Sequence, residues 1–223
     1  MSPSVAVARR IFLVGAAGAA CNACGHSALS DIPPFVRTYM MKGPELDLTR
    51  ADIDKIPYAS LAVRMVEGPQ ALLILGRYDG DELNWISADR EVIVTRRGRV
   101  VKTYGLPQDV RTTVFLTKDP VGGPSGDFAN AADCVRTIDL EPQHRDGIVV
   151  RSSFSRVGTD AIDILGERFD TDLWQERAAA ADLDWQFTNR YWIDRASGYV
   201  WKSVQVTAPD LPPLEIQVYR RAA

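Results

Sequence analysis

Downstream of residue 57 the chain is organised by alternation, not by helical spacing. Between Tyr58 and Val66, Leu61, Val63 and Met65 fall on one side and Ser60 and Arg64 on the other, the period-two signature of a half-buried strand. Ala71 to Leu75 (ALLIL) is a short continuous apolar run and predicts a buried strand. Tyr78-Asp79-Gly80-Asp81-Glu82 supplies the Asp-Gly pair that tight hairpins favour, and Leu83 to Ala88 returns from it. Glu91 to Thr95 and Arg99 to Tyr104 flank a second hairpin signal, Arg96-Arg97-Gly98. Residues 58–104 thus predict a meander of about five short strands.

The following stretch, residues 107–133, reads as loop-rich, with an excursion at Pro120 to Gly126 and a helical turn over Asp127 to Cys134. Its glycines do not make a phosphate loop, because no Gly-Lys-Ser/Thr follows. Strand patterns resume at Gly147 to Phe154 and Ala161 to Leu165. Asp170 to Ala181 reads both ways: its alanines favour helix and its neighbours favour strand. Gln186 to Ile193 and Tyr199 to Val206 form a hairpin around Asp194 to Gly198, and Leu214 to Arg220 is a last strand set apart by prolines. Thr49 with Asp52 resembles a capping box and predicts a short helix over residues 50–55, stopped by Pro57. The expected fold is mainly β: about ten short antiparallel strands in a curved sheet, sandwich or half-barrel, with few short helices.

Composition narrows the picture only slightly. The chain has 223 residues, a net charge of −3 and ordinary apolar content, which excludes wholesale disorder and gives no case for nucleic acid as a partner. Three cysteines are too few for a disulfide framework, and two histidines argue against a multi-histidine metal site. Cys24 and Cys134 pair only if the compartment is oxidising, and unpaired thiols are the plainer reading.

The first 30 residues differ from the rest. Arg9-Arg10 precedes ten uncharged residues, Ile11 to Ala20, and then Cys21 in Gly18-Ala19-Ala20-Cys21. A basic start, a short apolar run and small residues before the cut describe a secretory signal, and ten residues are too few to span a bilayer as a helix. The small-small-Cys ending is similar to a bacterial lipobox, with Gly18 standing where a larger aliphatic residue is usual. Cys21 is the candidate lipidation site, which would make it the first residue of the processed chain. Its successor is Asn22, not Asp, which in enteric-type sorting leans towards the outer membrane. The expected organisation is a lipoprotein signal over 1–20, a tether over 21–34 and a single mainly-β domain over 35–223.

Several blocks then read together: Pro57 to Leu61; Trp85 to Asp89 running into Ile93 to Leu106; Asn189 to Asp194; and Gly198 to Gln205. With the leading lipobox, the chain resembles the YjbF/GfcB family of lipoproteins. The resemblance spans residues 21–220 by block order, with 107–150 matching poorly. It implies a mainly antiparallel β domain on the periplasmic face of the outer membrane. It also implies a role in producing or exporting exopolysaccharide or group 4 capsule, alongside other polysaccharide-export proteins. It implies no catalytic residues, and none is nominated; nor is a cofactor or a metal.

The candidate chemistry lies in the aromatics. Sugar rings present apolar C–H faces to aromatic rings, and Arg and Lys pair with acidic sugars. Trp85, Trp201, Arg96, Arg97 and Lys202 would suit a groove for glycan or a partner protein. The same tryptophans would equally serve as strand core, and Arg96-Arg97 as a solvated turn. Asp79, Asp81 and Glu82 read as a hairpin tip, and His144 as a surface histidine. Three functions stay in play: a binding or assembly component of polysaccharide export, an enzyme modifying that polysaccharide, and a carrier of an apolar ligand. An enzyme needs convergent titratable groups in a cleft; a carrier needs an apolar cavity.

Overall fold

The computed structural model describes residues 46–121 and 133–222. Among them are one short helix, α1 (Arg50–Asp54), and twelve strands. The strands are β1 (Ser60–Met65), β2 (Gln70–Asp79), β3 (Glu82–Ile86), β4 (Val92–Arg96), β5 (Arg99–Tyr104) and β6 (Asp109–Phe115). After them come β7 (Cys134–Glu141), β8 (Arg145–Ile164), β9 (Glu167–Ala180), β10 (Trp185–Asp194), β11 (Val200–Gln205) and β12 (Leu214–Arg220). They form one sheet in the order β5-β4-β3-β2-β1-β12-β11-β10-β9-β8-β7-β6. Every neighbouring pair is antiparallel, as short connections require.

The sheet curls until its two ends meet, giving a nearly closed barrel. No backbone ladder joins β5 to β6. Instead Thr113 Oγ1 donates to the Val101 carbonyl at 2.8 Å, the Val110 amide donates to Thr103 Oγ1 at 2.9 Å, and Thr103 Oγ1 donates to Asp109 at 2.8 Å. Closure in this form hides two edges that would otherwise invite pairing with another chain.

The mainly-β expectation holds, and the 58–104 meander is the five strands β1–β5. The Thr49 cap also forms: its amide and hydroxyl bond Asp52, and Thr49 Oγ1 accepts from the Asp52 amide at 3.3 Å. Hydrogen bonds from Thr49 and Lys55 hold the Asp52 carboxyl down at about 2. Arg50 pins α1, donating to the carbonyls of Tyr219 at 2.6 Å and Ile164 at 3.1 Å.

Four local readings change. First, Ser60 and Ala62 are as buried as Leu61 and Val63, so this half of β1 is covered on both faces. Second, β8 is one strand of 20 residues, not two short ones; its middle is exposed and polar, which erases the apolar alternation a reader looks for. Third, Asp170 to Ala180 is strand, with Ala178 and Ala180 buried in an apolar cluster with Val110, Ile138 and Leu140. Tertiary packing overrides the helical propensity of alanine there. Fourth, β6 lies inside the stretch read as loop, and Cys134 opens β7 instead of ending a helical turn. Asp133 before it is irregular, and residues 127–132 of that predicted turn, like the signal, the tether and Cys24, fall outside the described residues. Cys134 is a buried free thiol.

Candidate functional site

The β4–β5 connection is the point from which the site is built. Arg97 and Gly98 both take positive φ, 53° and 95°, as a two-residue hairpin turn of the twist-matching kind demands. Gly98 has a second reason to be glycine: a Cβ there would stand 2.5 Å from the Val200 Cβ. The turn therefore packs flush on the start of β11. Gln205 holds it from the same strand, donating from Nε2 to the Gly98 carbonyl at 2.9 Å and accepting from the Val100 amide at 3.0 Å.

Directly after the turn the chain buries a full charge. Arg99 is 2% exposed, and its fork grips Asp119 through Nε at 2.8 Å and Nη2 at 2.9 Å. Its remaining nitrogen donates to Glu176 at 2.9 Å and to the Tyr191 hydroxyl at 3.0 Å. Glu176, wholly buried on β9, also receives Arg136 at 2.7 Å, Asn189 at 2.8 Å and the Tyr191 hydroxyl at 3.1 Å. Two cations face two anions, and both Glu176 oxygens are used. Burial pushes the Glu176 carboxyl up, but the charges of Arg136 and Arg99 outweigh it and hold the group well below the usual carboxylate range. Burial likewise drives the Tyr191 phenol and the Cys134 thiol upward. The cluster pairs its charges internally, with Arg99 and Glu176 almost wholly buried.

A pocket of about 230 Å³ opens between the β4–β5 turn and the β10–β11 loop. Trp85 forms part of its floor within the apolar cluster of Leu61, Val63, Leu73 and Ile216, its Nε1 donating to Thr95 Oγ1 at 2.8 Å. Tyr199 and Trp201 form an aromatic wall, their rings edge to face at 4.8 Å, and Phe169 backs Trp201 at 4.1 Å. Burial raises the Tyr199 phenol to about 12. Arg221 lies over Tyr199, its guanidinium carbon 4.3 Å from the ring centroid. Arg97 and Arg221 line the pocket, are solvent-exposed and have no ion-pair partner among the described residues. Among the described lining residues there is no Asp or Glu.

The structure thus brings Trp85, Arg97, Trp201 and Lys202 to one pocket. Lys202 contributes less charge than expected, because its ammonium is 3.1 Å from Glu215 and 5.0 Å from the Trp192 ring centroid. Arg96 points elsewhere, over Phe115 at 4.4 Å. Trp85 is 1% exposed, so its core role and its floor role coincide. Tyr199, which the sequence places beside the tryptophan blocks, joins the pocket, and Arg221 is a pocket residue that pattern reading passed over. Arg99, Arg136 and Glu176 had a visible signal: each is a charge at an inward position of an alternating strand. A second pocket, about 160 Å³ and mostly apolar, is lined by Val63, Met65, Leu73, Ile93, Leu106 and Leu214.

Residues 35–219 match a family model described as group 4 capsule polysaccharide lipoprotein, GfcB and YjbF. The chain is 24% identical over 222 residues to the uncharacterized lipoprotein GfcB of Escherichia coli K12, covering 100% of both chains. It is 28% identical over 180 residues to the uncharacterized lipoprotein YjbF of the same organism, covering 80% of this chain and 83% of the other. The crystal structure of the hypothetical lipoprotein YmcC from Escherichia coli K12 superposes with a TM-score of 0.70 at 26% identity, covering 79% of this chain and 90% of that one.

Proposed function

The chain belongs to the group 4 capsule polysaccharide lipoprotein family, and from that premise we propose that it is a non-enzymatic component that binds polysaccharide during capsule production. On this reading a lipid on Cys21 anchors it to the outer membrane, the β domain faces the periplasm, and the other partners are polysaccharide-export proteins. The observation that carries the binding role is the Tyr199–Trp201 wall, a half-buried aromatic surface in a concave site. Binding is favoured over cleavage because glycoside hydrolysis calls for a pair of carboxyl groups about 5–9.5 Å apart. The described lining of this pocket holds none, while the carboxylate with the most shifted environment is sealed in the barrel.

The test is calorimetric titration of the detergent-solubilised full chain with oligosaccharides cut from the producing cell's own extracellular polysaccharide. Saturable binding that Trp201→Ala removes supports the reading. Absence of binding, or binding indifferent to Trp201→Ala, overturns it, and so does release of shorter sugars during the titration. The anchor is tested separately by mass spectrometry of the processed N-terminus: a diacylglyceryl mass on Cys21, lost in Cys21→Ser, is the expected result.

A further inference from the structure

We propose that the pocket is built for one acidic sugar residue, with its carboxylate held by Arg97 and Arg221. The inference rests on the glycan-binding reading above and deepens it by naming the class of sugar.

Charge is the starting point. The described cations that line or neighbour the site divide into paired and unpaired. Arg99 is saturated by Asp119 and Glu176, and Lys202 is compensated by Glu215. Arg97 and Arg221 have no acidic partner among the described residues. They come from distant parts of the chain, one from the β4–β5 turn and one from just beyond β12, and both line the same concavity. Among the described lining residues there is no carboxylate to cancel them; Asp194, behind the wall, is engaged by Ser197 and Trp201.

Placement comes next. Arg97 is fixed by its turn: its own φ is 53°, Gly98 behind it is wedged on Val200, and Gln205 bonds both Gly98 and Val100. Arg221 is fixed by stacking, lying over Tyr199 and within 5.8 Å of the Trp201 centroid. A guanidinium lying over a ring keeps its N–H edge free to donate, and guanidinium forks suit carboxylates. The aromatic wall that Arg221 leans on, in the pocket that Arg97 also lines, supplies a surface for the apolar face of a sugar ring. Size sets the stoichiometry: drug-sized ligands occupy sites of about 300–1,000 Å³, so 230 Å³ accommodates one ring and leaves the rest of a chain outside.

The experiment uses the detergent-solubilised full chain and two probes. One is the set of acidic oligosaccharides from the producing cell's extracellular polysaccharide. The other is the same set after chemical reduction of its carboxylates to primary alcohols. The acidic set is expected to bind at least about tenfold more tightly, a factor equivalent to ~1.4 kcal/mol. Arg97→Gln and Arg221→Gln are each expected to lower affinity for the acidic set by a similar factor and to leave the reduced set unchanged. Both side chains are exposed, so the variants fold. Equal binding of the two sets, or a loss in the variants that is the same for both, overturns the acidic-sugar inference and leaves the glycan reading standing. Binding of neither set removes both.

Discussion

Arg97 and Arg99 flank a single glycine, and their fates are opposite. Arg99 turns into the barrel, where the side chains of Asp119, Glu176 and Tyr191 accept its hydrogen bonds. Arg97 stays at the rim with no acidic partner among the described residues. The contrast separates charge that organises the fold from charge left available for a ligand. A buried arginine needs its counter-charges built in, because desolvation would otherwise be ruinous. An exposed one tolerates being unpaired, and its lack of a partner becomes informative when it lines a concave aromatic site.

Breaking the interior side should have the largest effect. Glu176→Gln leaves Arg99 with Asp119 and takes from Arg136 the only carboxylate it pairs with among the described residues, and the expected loss is ~3–5 kcal/mol. Thermal unfolding should fall on the order of 10 °C for a domain of this size. The same residue sets an acid limb. Its folded-state pKa lies below the ordinary value of 4.5, so its contribution is complete above that pH and is lost as pH falls through the folded value. Denaturant titrations from pH 6 downward should show the wild type losing stability below about 4.5, with the Glu176→Gln curve flatter.

The turn joining the two regions comes next. Gly98→Ala adds a methyl where Val200 already stands and forces a non-glycine residue to φ 95°. A loss of about 2 kcal/mol is expected, together with weaker glycan binding, because the turn carries Arg97. Thr49→Ala removes the α1 cap and should cost about 1 kcal/mol without touching binding, measured by chemical denaturation. On the rim, Arg97→Gln should change stability by less than about 0.5 kcal/mol. Loss of stability well beyond that would mean Arg97 is structural, and the contrast with Arg99 would collapse.

The parts of the fold that were legible are those where one face is apolar and turns carry glycine: β1–β5, the β10–β11 hairpin and β12. The long β8–β9 arm was not, because residues 153–163 are mostly exposed and carry no burial pattern. Within the site, Trp85, Arg97, Trp201 and Lys202 stood out as residue types in adjacent β blocks. Arg221 could not be found that way, since its role depends on Tyr199, which the barrel brings to it from 22 positions earlier. The Arg99–Glu176 pairing spans 77 positions and joins strands remote in chain order.

The seam between β5 and β6 has a consequence for how the molecule breathes. Elsewhere around the wall, separating two strands tears a ladder of backbone bonds at once. At the seam, Thr103 and Thr113 hold the two strands through hydroxyl groups that water can replace. Opening there breaks no backbone ladder, and faster hydrogen exchange at the seam-facing amides of β5 and β6 than in the laddered strands is the expected outcome. Because β5 also carries Arg99 and adjoins the turn at Gly98, the unladdered line in the wall runs beside the strand on which the pocket depends. A ligand bridging Arg97 and Arg221 would tie the turn at the head of that strand to the far end of the chain, slowing exchange along a seam it never touches.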